Sequence, residues 1–392
     1  MRVISVRRVP AFWRDTRFWT IAGQVLFLLA VAALLYLVYE NLQANLRRIG
    51  LALGFGFLRQ PAAFDIGEGI IPYRPADTYF RAYLVGLTNT LRVAGAGIVL
   101  ATVLGCSVGI ARLSSNWLIR QFAAVYVELL RNTPLLLQLF FWYFAVLIRL
   151  PRIEDAVVWP GPVYLSNRGL AVPWLARGPS FDAWIVAFLV ALVAGAAVYR
   201  WRLSVRLETG GGGSPALAGL GAFASIAGLS WLLAPGAPIV VDAPYVEGVA
   251  LRGGLRLSPE FSGLLIGLVV YTSAFIGEVV RAGIQSVPRG QVEAARAVGL
   301  RPALVLRLVV FPQALRVIVP PLTSQYLNLT KNSSLAVAIG YPDAFFVGQT
   351  TFNQTGRSVE VVTLIMATYL TISLLTSLLM NLYNRFVQLV ER

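Results

Sequence analysis

The chain contains no histidine and a single cysteine, Cys106. The first absence excludes His-based acid–base catalysis and His-ligated metal sites. The second excludes an intrachain disulfide and a Cys-cluster metal site. Cys106 itself lies inside an apolar run, where a thiol packs as a small hydrophobe. Charge is also scarce: 13% of the 392 residues are Asp, Glu, Lys or Arg, against about 25% in an ordinary soluble domain. Lysine is scarcer still. Lys331 is the only one, so the net charge of +15 rests on arginine. Because Thr330 precedes that lysine and Asn332 follows it, no Gly-Lys-Ser/Thr phosphate loop exists. Any ATP-driven step must therefore use another chain.

What is present is apolar: 57% of the residues are hydrophobic. They come in runs of about 20, enough to cross a bilayer core as helices. Backbone groups cannot go unpaired in lipid, so the runs must be helical. The sequence predicts an all-α integral membrane protein with about eight transmembrane helices, near 18–40, 83–111, 119–148, 182–200, 216–234, 261–283, 313–338 and 359–383. The run Phe18–Tyr39 follows a basic start and is too long for a signal-peptide core, so it reads as a retained anchor.

Arginines flank these runs, which fits topology signals rather than a nucleic-acid surface; no nucleic-acid partner is expected. Arg2, Arg7, Arg8, Arg14 and Arg17 precede the first run, and Arg112 and Arg120 bracket the turn after the second. Arg200, Arg202 and Arg206 follow the fourth, Arg281 to Arg307 fill the segment after the sixth, and Arg385 and Arg392 follow the eighth. If the spans alternate, all fall on one side, which the positive-inside rule makes the cytoplasm, with both termini. Residues 1–82 read as a cytoplasmic segment, the first span and a periplasmic segment, of which 41–58 is amphipathic and expected at the membrane interface. Residues 83–392 form the main transmembrane domain. Within it, about 150–258, with the flexible run Gly210–Ser214, read as an inserted two-span region.

The segment 291–312, QVEAARAVGLRPALVLRLVVFP, lies in the cytoplasmic loop of about 284–312. It has a small-residue helical face, a Gly break and a second helical stretch. Alanine and arginine favour helix, and a basic amphipathic helix could equally lie on a membrane surface. The spacing, however, resembles the EAA loop of permease subunits of bacterial ABC importers: Glu293, Ala294, Ala295, Gly299 and Pro312 match, and Val309 and Phe311 are apolar replacements. The resemblance implies that this helix docks into a separate ATPase subunit. The cluster 127–138, VELLRNTPLLLQ, and the strings 271–283 and 329–335 resemble polar amino-acid permeases of that family. The loop 163–170 and the overall length are similar to the general L-amino-acid branch. Removing the first run and the insertion leaves five spans, the number in minimal amino-acid importer permeases.

The resemblance implies a bacterial inner-membrane permease for L-amino acids, with no catalysis of its own and no cofactor. Its expected partners are ATPase subunits, a second permease subunit that is homologous or identical, a periplasmic amino-acid-binding protein, the L-amino-acid substrate and membrane lipid. An ion-coupled secondary amino-acid transporter is the alternative, but it would need carboxylates within the spans, and these are scarce.

Polar residues within spans are candidates for the substrate path: Thr88, Asn89, Gln138, Asn328, Lys331, Asn332 and Ser333. Lys331 could meet a substrate carboxylate or pair with a carboxylate on a neighbouring helix. Ser and Thr hydroxyls in spans more often bond to backbone. Glu278 with Arg281, and Glu128 with Arg131, have i,i+3 spacing suited to ion pairs. Pro134 and Pro320-Pro321 should break or kink their helices.

Overall fold

The computed structural model describes residues 16–48, 54–159, 162–211, 213–248 and 250–387. Arg2, Arg7, Arg8, Arg14, Gly212 and Arg392, which entered the topology reading, lie outside the described residues. Among the described residues, seven helices are long and apolar enough to cross a membrane. They are α1 (Thr16–Arg48), α2 (Tyr79–Ala111), α5 (Phe181–Thr209), α6 (Pro215–Leu232), α7 (Pro259–Gln285), α10 (Phe311–Asn332) with its flanking turns, and α12 (Ser358–Val387). Side-chain oxygens open several helices: Thr78 accepts the Arg81 N–H at α2, Ser214 that of Leu217 at α6, and Ser258 that of Phe261 at α7. Residues 41–48 continue α1 as helix and do not form a separate interfacial element.

The third expected span, 119–148, is not one helix. Helix α3 (Trp117–Asn132) stops at Thr133, and α4 (Leu135–Phe140) restarts after Pro134 and widens into a π-type turn to Leu147. Pro134 has no N–H to donate and clashes with the preceding turn, so the helix must end there. Gln138 takes over the orphaned carbonyls: its Nε2 donates to Leu130 O at 2.9 Å and Thr133 O at 3.0 Å. Against α7, Tyr126 meets Ser273 at 2.7 Å and Arg131 stacks on Phe275, whereas Leu139 lies on Gly267 and Tyr143 donates to Glu260. So α3 crosses α7 at one level, and only 135–147 climbs along it.

The core is the seam between α2 and α7, joined by α10. Glycines let the backbones meet. A Cβ on Gly109 would lie 2.7 Å from Gly277 O, and one on Gly105 would lie 2.6 Å from Ile276 Cβ. Val93, Ala101, Leu264, Leu268, Ile276 and Leu329 are fully buried around this seam. Helix α11 (Ala344–Thr355) closes one end of the bundle against α2 and α12.

The same end carries strands that the sequence reading left as loops. Short strands β1 (Val157–Trp159), β2 (Val163–Ser166), β3 (Gly169–Val172) and β4 (Trp174–Arg177) precede α5. After α6 come β5 (Ile239–Asp242), β6 (Tyr245–Glu247), β7 (Ala250–Arg252) and β8 (Leu255–Leu257). One sheet runs β1-β2-β3-β8, all antiparallel, and β4 pairs with β5. The Leu170↔Leu257 and Val172↔Leu255 pairs of β3 and β8 tie the segment before α5 to the segment after α6. Helices α5 and α6 pack on one another through Gly195 and Gly219. Their main packing partners among the described residues are each other, and α1 is exposed along its apolar length.

Candidate functional site

At the end of the bundle opposite the sheet, α7 gives way to a short ledge. It consists of α8 (Arg289–Ala297), α9 (Pro302–Val305), a π-type turn at 306–310 and the start of α10. Ala295 is buried against Val305 and Val310, so the small side chain lets α8 lie close on the returning chain. Gly299 at φ 81° ends α8 in a Schellman motif: Gly299 N–H donates to Arg296 O, and Leu300 N–H to Ala295 O. Pro312 follows closely on the π-type turn 306–310, in helical chain that runs unbroken from Pro302, and the wider turn before it accommodates the missing N–H. Glu293 and Ala294 face outward, and Val298 is 77% exposed. Five residues picked out by spacing thus fall within one contiguous ledge with a charged and apolar outer face.

Behind the ledge, Glu278 on α7 accepts from Arg281 at 3.1 Å and also from Arg112 at the end of α2. The expected i,i+3 pair is present and extends across the seam. The Glu128–Arg131 pair expected from the same spacing does not form. Arg131 instead lies 5.1 Å over the Phe275 ring, a contact that the crossing of α3 over α7 permits.

The opposite end holds a buried polar knot. Asn89 is fully buried, and its Nδ2 donates to Glu68 O at 2.8 Å and Pro342 O at 2.9 Å. Thr90 Oγ1 accepts the Ala344 N–H at 3.0 Å. Asp343, also fully buried, caps α11 through the Phe346 N–H and accepts from the Tyr369 hydroxyl at 3.0 Å. Burial pushes its carboxyl up to about 6, against the pull of these donors. Ser333 is buried within reach of Tyr369 and donates to Thr330 O.

The seven path candidates therefore separate. Asn89 and Ser333 converge on the knot, with Thr88 one residue away bonded to Val85 O. Gln138 is spent on the Pro134 break. Asn328 and Lys331 lie exposed on an outward face of α10, and Asn332 is half-buried. No carboxylate stands within salt-bridge distance of Lys331 among the described residues. Of the two partners considered for it, the carboxylate on a neighbouring helix is not found, because its helix face points off the bundle. A groove of about 1130 Å3 opens at the ledge end, walled by apolar residues such as Ile110, Val280, Leu306, Phe311 and Tyr326. None of the path candidates lines it. Sequence reading missed Asp343, although an Asp three residues before the Phe346 amide is a recognisable helix cap. It also missed the Arg112–Glu278 link, which has no local signal.

Residues 97–392 match the family described as binding-protein-dependent transport system inner membrane component. The putative amino-acid ABC transporter permease protein YhdX of Escherichia coli (strain K12) is 47% identical over 94% of both chains. The general L-amino acid transport system permease protein AapQ of Rhizobium johnstonii is 46% identical over 96% of this chain and 94% of that protein. The glutamate/glutamine/aspartate/asparagine transport system permease protein BztB of Rhodobacter capsulatus is 40% identical over 96% of each. Among solved structures, an amino acid ABC transporter with histidines covers 78% of this chain and 94% of its own, at 21% identity and a TM-score of 0.47.

Proposed function

This chain belongs to the family of binding-protein-dependent transport system inner membrane components, and on that premise we propose that it is the permease subunit of an ATP-driven importer of L-amino acids. It is a multi-pass membrane protein, and ATP hydrolysis belongs to a separate subunit in such systems. The amino-acid substrate is supported by relatives at 40–47% identity over nearly the whole chain whose names state amino-acid transport.

The observation that carries the mechanism is the ledge. Its outward Glu293, Ala294 and Val298 stand on a helix held at its C-terminal end by burial of Ala295 and by the Gly299 cap. We assign docking of the ATPase to this face, and Glu293, Ala294, Ala295, Gly299 and Pro312 to building it. A push on α8 passes directly into α7 and α10, between which it is spliced. The arginines around the ledge, Arg281, Arg289, Arg296, Arg301 and Arg307, support its placement in the cytoplasm with both termini. The sheet end then faces the periplasm and a substrate-delivering binding protein, and a second permease protomer completes the path. Lys331, exposed with Asn328 on α10, belongs to a face that such a protomer or the substrate would meet.

Reconstitution into vesicles with the ATPase partner tests this reading. Uptake of amino acids should require internal ATP, and uptake driven by an ion gradient alone sinks it. Glu293→Lys should leave membrane insertion intact while lowering ATPase copurification and uptake about tenfold or more, as expected for reversing a charge in a docked contact. Normal uptake in this variant removes Glu293 from docking.

A further inference from the structure

The helices of the α5–α6 hairpin touch along small residues and leave a groove beside the contact. Gly195 and Gly219 press against one another, a Cβ on Gly219 falling 2.9 Å from Gly195 O, so the groove floor lacks side chains there. Leu192 and Tyr199 of α5 and Leu220 and Phe223 of α6 wall a cavity of about 380 Å3. The Tyr199 hydroxyl is the one side-chain polar atom in this lining. Aromatic residues mark its depth in the membrane, since tryptophan and tyrosine favour the interfaces. Trp184 meets Trp231 edge-on at 5.4 Å at the sheet end of the hairpin, and Tyr199 and Trp201 stand exposed at the other end. From Trp184 to Trp201 the helix rises about 26 Å, close to the roughly 30 Å of a bilayer core. The groove therefore opens within the hydrocarbon, on a helix pair whose main packing partners are each other.

Beyond Tyr199 the same face of α5 turns basic. The helical repeat puts Leu192, Gly195, Tyr199, Arg202 and Arg206 in one row, and helical side chains lean back toward the N-terminus, here over the groove. Arg200 falls off this row. Among the described residues, no carboxylate stands within salt-bridge distance of Arg202 or Arg206. Arg202 lies 5.5 Å over the Trp201 ring, a contact that orients its charge without neutralising it. Gly219 packs on Tyr199, so the N-terminus of α6, one turn before Gly219, stands level with these arginines and adds the partial positive charge of a helix start. We propose that the hairpin binds an anionic phospholipid, with an acyl chain in the groove over Gly195 and Gly219 and the head-group phosphate held by Arg202 and Arg206. Guanidinium forks grip phosphate oxygens in pairs. A zwitterionic lipid brings its own cation to the same place, which the two arginines repel. The site depends on neither the amino-acid substrate nor the ATPase.

Native mass spectrometry of the detergent-purified full chain, offered phosphatidylglycerol and phosphatidylcholine with the same acyl chains, tests this. One phosphatidylglycerol per chain should be retained, about tenfold or more in preference to phosphatidylcholine. The double variant Arg202→Gln, Arg206→Gln should abolish the preference. Ala196→Phe, which fills the groove from an exposed position, should lower retention of both lipids. Arg200→Gln, off the row, should change neither. Arg206 is exposed, so Arg206→Gln alone should keep the unfolding temperature of the lipid-free chain and still lose part of the preference, which carries the test if the double variant fails to fold. Equal retention of the two lipids by the unaltered chain, undiminished preference in the Arg206 variants, or undiminished retention in Ala196→Phe overturns the proposal. So does a loss in Arg200→Gln as large as at Arg206, which would mark a diffuse field rather than a site. A dimer of the chain that retains no lipid overturns it as well, because a second copy then covers the groove.

Discussion

The α2–α7 seam and the α5–α6 hairpin both bring glycine against backbone, and they differ in the polar contacts around that approach. At the α2–α7 seam, a Cβ on Gly109 would sit 2.7 Å from Gly277 O and 2.8 Å from Val280 Cβ. In the α5–α6 hairpin, one on Gly195 would sit 3.0 Å from Gly219 O and 3.0 Å from Phe223 Cβ. Arg112 adds a polar tie across the seam to Glu278, and neighbouring helices tie onto it, Tyr126 of α3 to Ser273 of α7 and Tyr326 of α10 to Thr102 of α2. Between the hairpin helices, the side-chain bond described is Trp184 to Ala227 O at 3.4 Å. In lipid no hydrophobic effect drives helices together, so contact area and hydrogen bonds must do it. The seam has both, and the ledge follows directly on its helix α7. The hairpin has contact alone.

If this contrast is real, changes at the seam should propagate and changes in the hairpin should not. Gly109→Leu should be the most damaging, because backbone and a β-branched side chain cannot withdraw. A loss of about 3 kcal/mol or more is expected, seen as failed purification of folded chain. Glu278→Gln leaves Arg112 and Arg281 facing a neutral amide. The pair is about one-quarter exposed, so about 2–3 kcal/mol is expected, less than for a fully buried pair. Thermal unfolding in detergent would read it, and an unchanged midpoint would make the link ornamental.

The next effect is pH. Asp343 belongs to the seam side of the comparison through α11, and its carboxyl is raised from 3.8 to about 6. A raised acid favours the folded state while both forms hold the proton. That advantage is lost as the unfolded carboxylate ionises above pH 3.8, and the loss is complete once pH passes about 6. Stability should therefore fall between these values, and Asp343→Asn should flatten the profile while keeping a cap for α11. A variant with the wild-type slope would assign the dependence elsewhere. Smallest of all, Gly195→Ala should cost about 1 kcal/mol or less, since the neighbours must yield only a few tenths of an ångström. Uptake should be unchanged, and an effect as large as at Gly109 would erase the distinction between the pairs.

What could be read from the sequence was local. The ledge was legible because Glu293 to Pro312 carries its own helix, its Gly299 break and its Pro302 restart within one segment. The spans were legible because lipid demands long apolar runs. The break at Pro134 was visible, but the crossing of α3 over α7 depends on partners such as Ser273 and Phe275, far along the chain. The strands were invisible for a related reason. They are three or four residues long, and β3 finds β8 only after two helices intervene. Asn89 and Gln138 show a different limit. A polar residue in an apolar run signals a need, but not whether a solute or a stranded carbonyl fills it. Here carbonyls fill it on the amide nitrogens of both.

The β3–β8 pairing has a consequence for how the chain can be cut. Val172 and Leu255 are antiparallel partners, so their Cα atoms stand only about 5 Å apart. A two-residue turn closes such a gap. Everything between them, both helices of the hairpin included, leaves and re-enters the chain at that rung, so its deletion as one cassette should leave the strands on either side in place. That rung of the sheet is therefore the place to cut, ahead of the loop ends at 150 and 258.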